Sequence, residues 1–194
     1  MIKFNGINHL AMVTSDMDAT IRFWRDLLGM RLLAGLGHPG YRHYFFEISP
    51  GHMIAFFEWP GVKPAVEKDH GAPVKGPVVF DHVALGVDSQ EALWELKDKL
   101  EVAGFWASEV VDHGFIHSLY SFDPNNVPIE FSFGVRMAEL GEKPVMADSA
   151  PSEIASEGPE PQVNIWPKVE SPTPDADRRV YPGLGSELFH GTRK

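Results

Sequence analysis

The 194-residue chain contains no cysteine, which removes disulfides, thiolate nucleophiles and Cys-ligated zinc or iron–sulfur centres from consideration. Any metal must rest on histidine and carboxylate ligands. Basic charge is also scarce. With 17 Lys and Arg against 27 Asp and Glu the formal charge is −10, so no basic face is available to neutralise phosphates, and nucleic acid and membrane surfaces are poor partners. A small molecule is the expected partner. No apolar run approaches the roughly 20 residues that span a bilayer. The first ten residues, MIKFNGINHL, lack the basic stretch and apolar run of an export signal, so the expected location is cytoplasmic. What the chain does have is 43% hydrophobic residues, enough for a substantial core.

An internal repeat organises the first two thirds. Laying INHLAMVTSD (7–16) on FDHVALGVDS (80–89) places His9 on His82 and Ala11 on Ala84. Each segment reads as a buried strand running into a helix cap. In the first copy Ser15 or Asp16 can cap a helix carrying Ile21, Trp24 and Leu28, with Gly29 as its stop. In the second, Asp88 and Glu91 stand at capping-box spacing before Leu93, Leu96, Leu100 and Ala103, and Gly104 ends the helix. Strand-rich stretches follow: MRLLAG, YRHYFFEIS and HMIAFFEW in the first copy, then FWASEVV, IHSLYSFD and VPIEFSF in the second. The hairpins SPG (49–51) and PNN (124–126) correspond. The pattern is βαβββ, twice, and the fold class is α+β, with two modules paired into one cup-shaped mixed-sheet domain over residues 1–136. Module one covers about 3–60, a Gly- and Pro-rich linker 61–77, and module two about 78–135. Half of the chain's 16 prolines fall in residues 137–194, among Glu and Asp and without hydrophobic periodicity, which reads as an extended tail. Ile165, Trp166, Tyr181, Leu184 and Phe189 give it apolar points that can dock on its own domain or on a neighbouring subunit, and a homo-oligomer is expected.

Residues two apart in a strand share a face, so Glu130 goes with Pro128 and Ser132 while Ile129, Phe131 and Phe133 form the apolar set. A pairing of the copies about a pseudo-two-fold axis brings His9 and His82 together, and Glu130 makes the set two histidines and a carboxylate from three strands. Each has a plain structural alternative: a hydrogen-bonded core histidine, or a carboxylate on the solvent side of a half-buried strand. His38, His43, His70, His117 and His190 receive no assignment from spacing.

Together these residues resemble the vicinal oxygen chelate superfamily, which holds glyoxalases, fosfomycin-resistance proteins, epimerases and type I extradiol dioxygenases. The resemblance covers about residues 3–135, and DPNNVPIEF is its most specific stretch. It implies that His9, His82 and Glu130 bind a divalent metal. Aligning PGHMIAFFE on NNVPIEFSF puts Ala55 at the place of Glu130, while Glu58 lies three residues on, facing the other way as a solvent-side carboxylate. Three ligands leave adjacent positions open, the arrangement of non-haem Fe(II) oxygenases.

Within the superfamily the closest likeness is to the extradiol dioxygenases, in a short one-domain form. They resemble this chain in an H-x-x-A motif, here His52 to Ala55, and in a tyrosine ten residues before the closing glutamate, here Tyr120. The resemblance implies cleavage of a catechol-type aromatic diol with O2, using Fe(II), or Mn(II) or another divalent metal. His52 would move protons, Tyr120 would hydrogen-bond a substrate oxygen, and His113 would stand on the substrate side. Phe57 would line the cup with Phe45, Phe115 and Phe122. Strict alternation turns His52 away from Ala55, so its aim is open. Two alternatives remain: another metal enzyme of the same fold, either a glyoxalase-like lyase or isomerase or a fosfomycin-resistance-type transferase, and a metal-free small-molecule binder.

Overall fold

In the computed structural model of the protein, residues 3, 5–76, 80–162, 165–183, 186 and 188 are described. Pro77 at the end of the expected linker, the first residues of module two, and Leu184, Phe189 and His190 fall outside them. The chain divides into two compact units, residues 1–136 and 137–194.

The first unit is α+β, with two four-stranded mixed sheets. Strands β1 (His9–Thr14), β2 (Arg31–His38), β3 (Tyr41–Ser49) and β4 (His52–Glu58) form one sheet in the order β1-β4-β3-β2. Strands β5 (Val83–Gly86), β6 (Val111–Asp112), β7 (Ile116–Phe122) and β8 (Pro128–Gly134) form the other in the order β5-β8-β7-β6. In each, the first and last strands run parallel and the remaining pairs antiparallel. The repeat read from the sequence is therefore a repeat of topology.

Helix α1 (Met17–Ile21) is capped by Asp16, whose side chain accepts from the Ala19 amide at 3.0 Å. It runs into a π-helical turn over Arg22–Leu27, closed by Leu28 N–H to Phe23 carbonyl at 3.0 Å. The adjacent Phe23 and Trp24 of this turn both lie buried. Gly29, at φ 80°, ends the segment in the left-handed conformation that favours glycine. Helix α2 (Glu91–Val102) starts later than the capping-box spacing predicts. Its first-turn amide, on Ala92, is met by Ser89 Oγ at 3.2 Å, so Ser89 takes the place expected of Asp88. Leu93 and Leu100 are its buried stripe.

The strand expected over FWASEVV is reduced to Val111–Asp112 and one bridge, Ala107 to Ser121. The cause is local. Ser108 Oγ accepts from the Tyr120 amide at 2.9 Å, and Ser121 Oγ donates to the Trp106 carbonyl at 2.7 Å. Side chains thus stand in for part of the ladder there, beside one backbone bond from the Ser108 amide to the Tyr120 carbonyl at 3.0 Å.

One cluster joins both modules: Met17, Phe23, Trp24, Phe46, Ile54 and Phe56 from the first, with Leu85, Leu93, Leu100, Leu119, Ile129 and Phe131 from the second. Each fully buried side chain of this kind contributes about 1.5–3 kcal/mol, so the modules share the hydrophobic term rather than folding as separate cores. A polar joint adds direction. Asn125 Oδ1 accepts from Thr14 Oγ1 and the Ser15 amide, both at 2.9 Å, and Trp24 Nε1 approaches Asp123 Oδ2 at 3.4 Å. The DPNN stretch supplies this joint. Asp123 Oδ1 takes the Asn125 and Val127 amides at 2.8 and 3.0 Å, and Asn126 turns to φ 59°. Burial pushes the Asp123 carboxyl up from its ordinary range, against the pull of those donors.

The second unit begins with helix α3 (Met137–Glu142) and contains single 3-10 turns at Ala155–Glu157 and Asp175–Asp177. Among the described residues no helix is long and apolar enough to cross a membrane.

Candidate functional site

The register places the expected residues. Ala11 pairs with Ala55, and in module two Ala84 pairs with Glu130. Ala55 therefore occupies the place of Glu130, and the first module has no carboxylate there. Phe45 stands opposite Ala55 as Tyr120 stands opposite Glu130.

Glu130 is 4% exposed, lying on the face of β8 opposite Ile129 and Phe131. It has two partners. Ser118 Oγ donates to Oε1 at 2.5 Å, and His82 Nε2 lies 2.8 Å from Oε2. His82 immediately precedes β5, and its Nδ1 is 2.6 Å from Asp81 Oδ1. Asp81 also accepts from Lys68 Nζ at 2.8 Å and from the Gly71 amide at 2.9 Å, and these donors with His82 hold its carboxyl well below the usual range. Tyr120 OH is 2.9 Å from His113 Nε2, and its ring meets His82 edge-on at 6.2 Å. Burial, then the Glu130 charge, push its phenol up, so it stays a protonated donor. His82, Glu130, Tyr120 and His113 are thus brought together on module two.

His70 joins them without having been expected. Its ring stands 4.7 Å from Tyr120, 5.0 Å from Phe122 and 5.8 Å from His82, with Nε2 on the Ile129 carbonyl at 3.0 Å. Burial pushes its pKa down, partly opposed by that carbonyl. The linker that carries it is more than a connector. Ala65 pairs through its amide with the Asn125 carbonyl at 2.9 Å and through its carbonyl with Asn126 Nδ2 at 2.8 Å, and Lys68 and Gly71 hold Asp81. The signals in the sequence were the adjacent Asp81 and His82 and the charged island Lys68-Asp69-His70 inside a Gly- and Pro-rich stretch.

His9 and His52 lie apart from this group. His9 begins β1 on its exposed face, with Nδ1 on Asn8 Oδ1 at 2.9 Å and its ring 5.7 Å from Phe45. No hydrogen bond or ring contact joins it to His82 or Glu130, and among the described residues no three His, Asp or Glu side chains are gathered for a metal. His52 shares its strand face with the buried Ile54 and Phe56. Its Nδ1 lies 2.6 Å from the Ile7 carbonyl, and Gly6, at φ 122°, passes so close that any side chain there would strike the ring. Phe57 does face the side of His9 and Phe45, stacked on His43 at 3.5 Å. Glu58 is no free solvent carboxylate: Oε1 takes the Met17 amide at 2.7 Å and Oε2 binds Arg42 Nη1 at 2.6 Å. It starts α1 and closes β3 to β4.

The donor chemistry fits a metal in part. A neutral histidine whose Nδ1–H is held by a carboxylate presents Nε2 as a ligand, the usual outer-sphere arrangement. Glu130 Oε2 stands beside that Nε2, with Oε1 fixed by Ser118. His82 and Glu130, with Asp81 and Ser118 behind them, are thus the side chains of this chain whose donor chemistry suits a metal.

A profile of the Glyoxalase/Bleomycin resistance protein/Dioxygenase superfamily matches residues 6–131. The chain is 29% identical over 106 residues to a Bacillus subtilis (strain 168) protein named "Putative ring-cleaving dioxygenase MhqA", covering 52% of this chain and 31% of that one. It is 31% identical over 91 residues to lactoylglutathione lyase of Haemophilus influenzae (strain ATCC 51907 / DSM 11121 / KW20 / Rd), covering 46% of this chain and 63% of that one. The chain thus spans less than two thirds of either relative. In fold it is similar to the crystal structure of a glyoxylase/bleomycin resistance protein/dioxygenase domain from Frankia sp. EAN1pec, with TM-score 0.57 at 21% identity over 68% of this chain and 99% of that one.

Proposed function

The chain belongs to the Glyoxalase/Bleomycin resistance protein/Dioxygenase superfamily, and on that footing we propose that it is a metal-dependent dioxygenase that opens the ring of a catechol-type diol with O2. The observation that carries the reading is the pairing of half-buried His82 with buried Glu130, backed by Asp81 and Ser118 and facing the His113–Tyr120 pair. His9, His82 and Glu130 are the metal ligands, and Fe(II) is the metal that supplies electron transfer between dioxygen and a closed-shell diol.

His9 reaches the other two from a second copy of the chain. Among the described residues β1 and β5 each pair on one side only, and apolar side chains flank both free edges: Ile7 is 70% exposed, Val13 40% and Phe80 50%. Free edges of this kind are templates for pairing with another chain. A two-fold dimer that pairs them sets module one of each copy against module two of the other.

Within such a site Asp81 keeps the His82 Nδ1 proton in place, so that Nε2 stays a ligand. Ser118 orients Glu130. Tyr120, kept protonated, donates to a substrate oxygen, and His113 fixes its hydroxyl. Phe57 and Phe45 offer flat surfaces to the ring. His52, on the core-side face with Nδ1 committed to Ile7, is set apart from these groups, and the imidazoles that stand against Tyr120 are His113, His70 and His82.

The test is anaerobic purification, loading with Fe(II), and a panel of catechols read by oxygen electrode and visible absorbance. Oxygen uptake matched by a coloured ring-opened product is expected, and no uptake with stoichiometric iron would reject the reading. The resemblance to lactoylglutathione lyase favours a second reading, an isomerising lyase, which would turn over a glutathione hemithioacetal without consuming oxygen.

A further inference from the structure

Residues 68–71 of the linker bond the residue that precedes each candidate ligand of module two. Lys68 Nζ and the Gly71 amide donate to the two carboxylate oxygens of Asp81 at 2.8 and 2.9 Å, and Asp81 precedes His82. His70 Nε2 meets the Ile129 carbonyl at 3.0 Å, and Ile129 precedes Glu130. One short segment therefore reaches both strands that carry the pair.

The segment holds its own form. The Ala72 amide closes a turn on the Asp69 carbonyl at 3.2 Å with His70 and Gly71 at its centre, and Gly71, at φ 65°, takes the left-handed conformation that favours glycine. Lys68 Nζ adds a bond to the same Asp69 carbonyl at 2.8 Å. A turn fixed in this way grips the strands with little further loss of freedom. His70 is its deeper arm. Its ring meets Tyr120 at 4.7 Å, Phe122 at 5.0 Å and Trp106 at 6.4 Å, so leaving the Ile129 carbonyl would also give up those ring contacts. Module one offers a contrast: Asn8, the residue before its strand-start histidine, spends its side chain on His9 itself at 2.9 Å, and with Ala55 in the place of Glu130 there is no pair to space.

We infer that residues 68–71 are a clamp that sets the separation of His82 and Glu130, with His70 as the positioning residue on the Glu130 side. The inference rests on the proposed function in treating His82 and Glu130 as metal ligands, and it gives the linker the task of tuning that site. The bond from His70 fixes the peptide that leads into Glu130, while the bonds from Lys68 and Gly71 fix the carboxylate that holds His82 Nδ1. Both supports leave from one turn, so cutting one arm loosens the other.

The experiment is titration of the full chain with Co(II), read by competition with a chromophoric chelator and by the visible spectrum of the bound ion, beside nitrogen-15 spectra of the metal-free proteins. The variants are His70→Phe, His70→Gln, Lys68→Met, and the double variant of His70→Phe with Lys68→Met. His70→Phe keeps a flat ring and loses the donor. It should lower Co(II) affinity about tenfold, the low end of the loss from an outer-sphere support, alter the visible spectrum, and shift the Glu130 amide nitrogen, which shares its peptide with the Ile129 carbonyl. His70→Gln, whose amide reaches about as far as Nε2, should restore all three. The double variant should lose less than the product of the two single losses, since the arms are coupled. Should His70→Phe fail to fold, His70→Gln and His70→Asn, the second too short to reach the carbonyl, form the comparison. An affinity unchanged in His70→Phe, no recovery in His70→Gln, or single losses that simply multiply would overturn the inference. Co(II) binding that follows this pattern without catechol cleavage by the Fe(II) form would reject the dioxygenase reading and leave the clamp standing. Cleavage beside an affinity unchanged in His70→Phe would overturn the clamp alone, and a wild type that binds no Co(II) would overturn both.

Discussion

The two βαβββ modules follow the same chain path and differ by face. Toward the core they are nearly interchangeable. Ile54 and Phe56 of β4 occupy the places of Ile129 and Phe131 of β8, and all four are buried. On the opposite face the counterparts diverge in chemistry: Ala55 against Glu130, Phe45 against Tyr120, His43 against Ser118, and Phe57 against Ser132. The histidines His9 and His82 and the alanines Ala11 and Ala84 keep one identity on that side. Packing restrains the inner face because a core change of even one methylene is felt. The opposite face is buried in places too, Ala55 and Ser118 fully so, yet there one copy carries a carboxylate and hydroxyls while the other carries flat rings.

The largest effect should come from removing the carboxylate that only module two possesses. Glu130→Ala is expected to lower metal affinity by more than about 100-fold, beyond the range of losses typical of outer-sphere supports, measured by competition with a chromophoric chelator. An equal loss from Ala11→Gly, a change on module one's face beside Ala55, would dissolve the distinction between the modules. Next is the joint between them. Asp123→Ala leaves the Asn125 and Val127 amides unpaired and should destabilise the fold by about 3 kcal/mol, seen as a fall in melting temperature of roughly 10 °C. In module one the corresponding hairpin turns on Gly51 at φ 84°, so the two turns depend on different devices.

Asp81→Asn should weaken metal binding by about 10- to 100-fold through His82 and raise protease cleavage within residues 61–76, because the same carboxylate holds Lys68 and Gly71. Unchanged cleavage would separate the linker from the site. The smallest effect concerns His43. Burial, then the nearby His9 charge, lower its pKa from 6.5. The fold therefore favours the neutral ring: its contribution to stability is present above the unfolded value and fades as pH falls through the lower folded one. A shallow drop in melting temperature below about pH 6.5 is expected, and His43→Phe should flatten it.

The repeat and its register were legible because alternation and hairpin chemistry are local. Alternation along VPIEFSF placed Glu130 on its face, whereas Tyr120 came from the family resemblance, and its pairing with Glu130 is a finding of the structure. What could not be read was carried by long-range contacts. Lys68 and His70 belong to a stretch without periodicity, and nothing in its spacing tells that Asp81 and the Ile129 carbonyl hold it. The fate of Glu58 depended on the Met17 amide and on Arg42, 41 and 16 residues away. His52 was ambiguous by alternation, and the contacts from Gly6 and Ile7 come from an irregular segment with no pattern to read. The collapse of the FWASEVV strand turned on two serine side chains competing with the backbone.

The central claim is that a metal site needs module two of one copy and His9 of another. Mixing His9→Ala with Glu130→Ala, unfolding and refolding the pair together, and measuring Fe(II)-dependent oxygen uptake with a catechol tests it directly. Each variant alone should be inactive. In mixed dimers one site carries both defects and the other none, so activity should return to roughly a quarter of the wild-type value. A mixture as inactive as its parts, in a chain whose wild type turns over, would contradict the account.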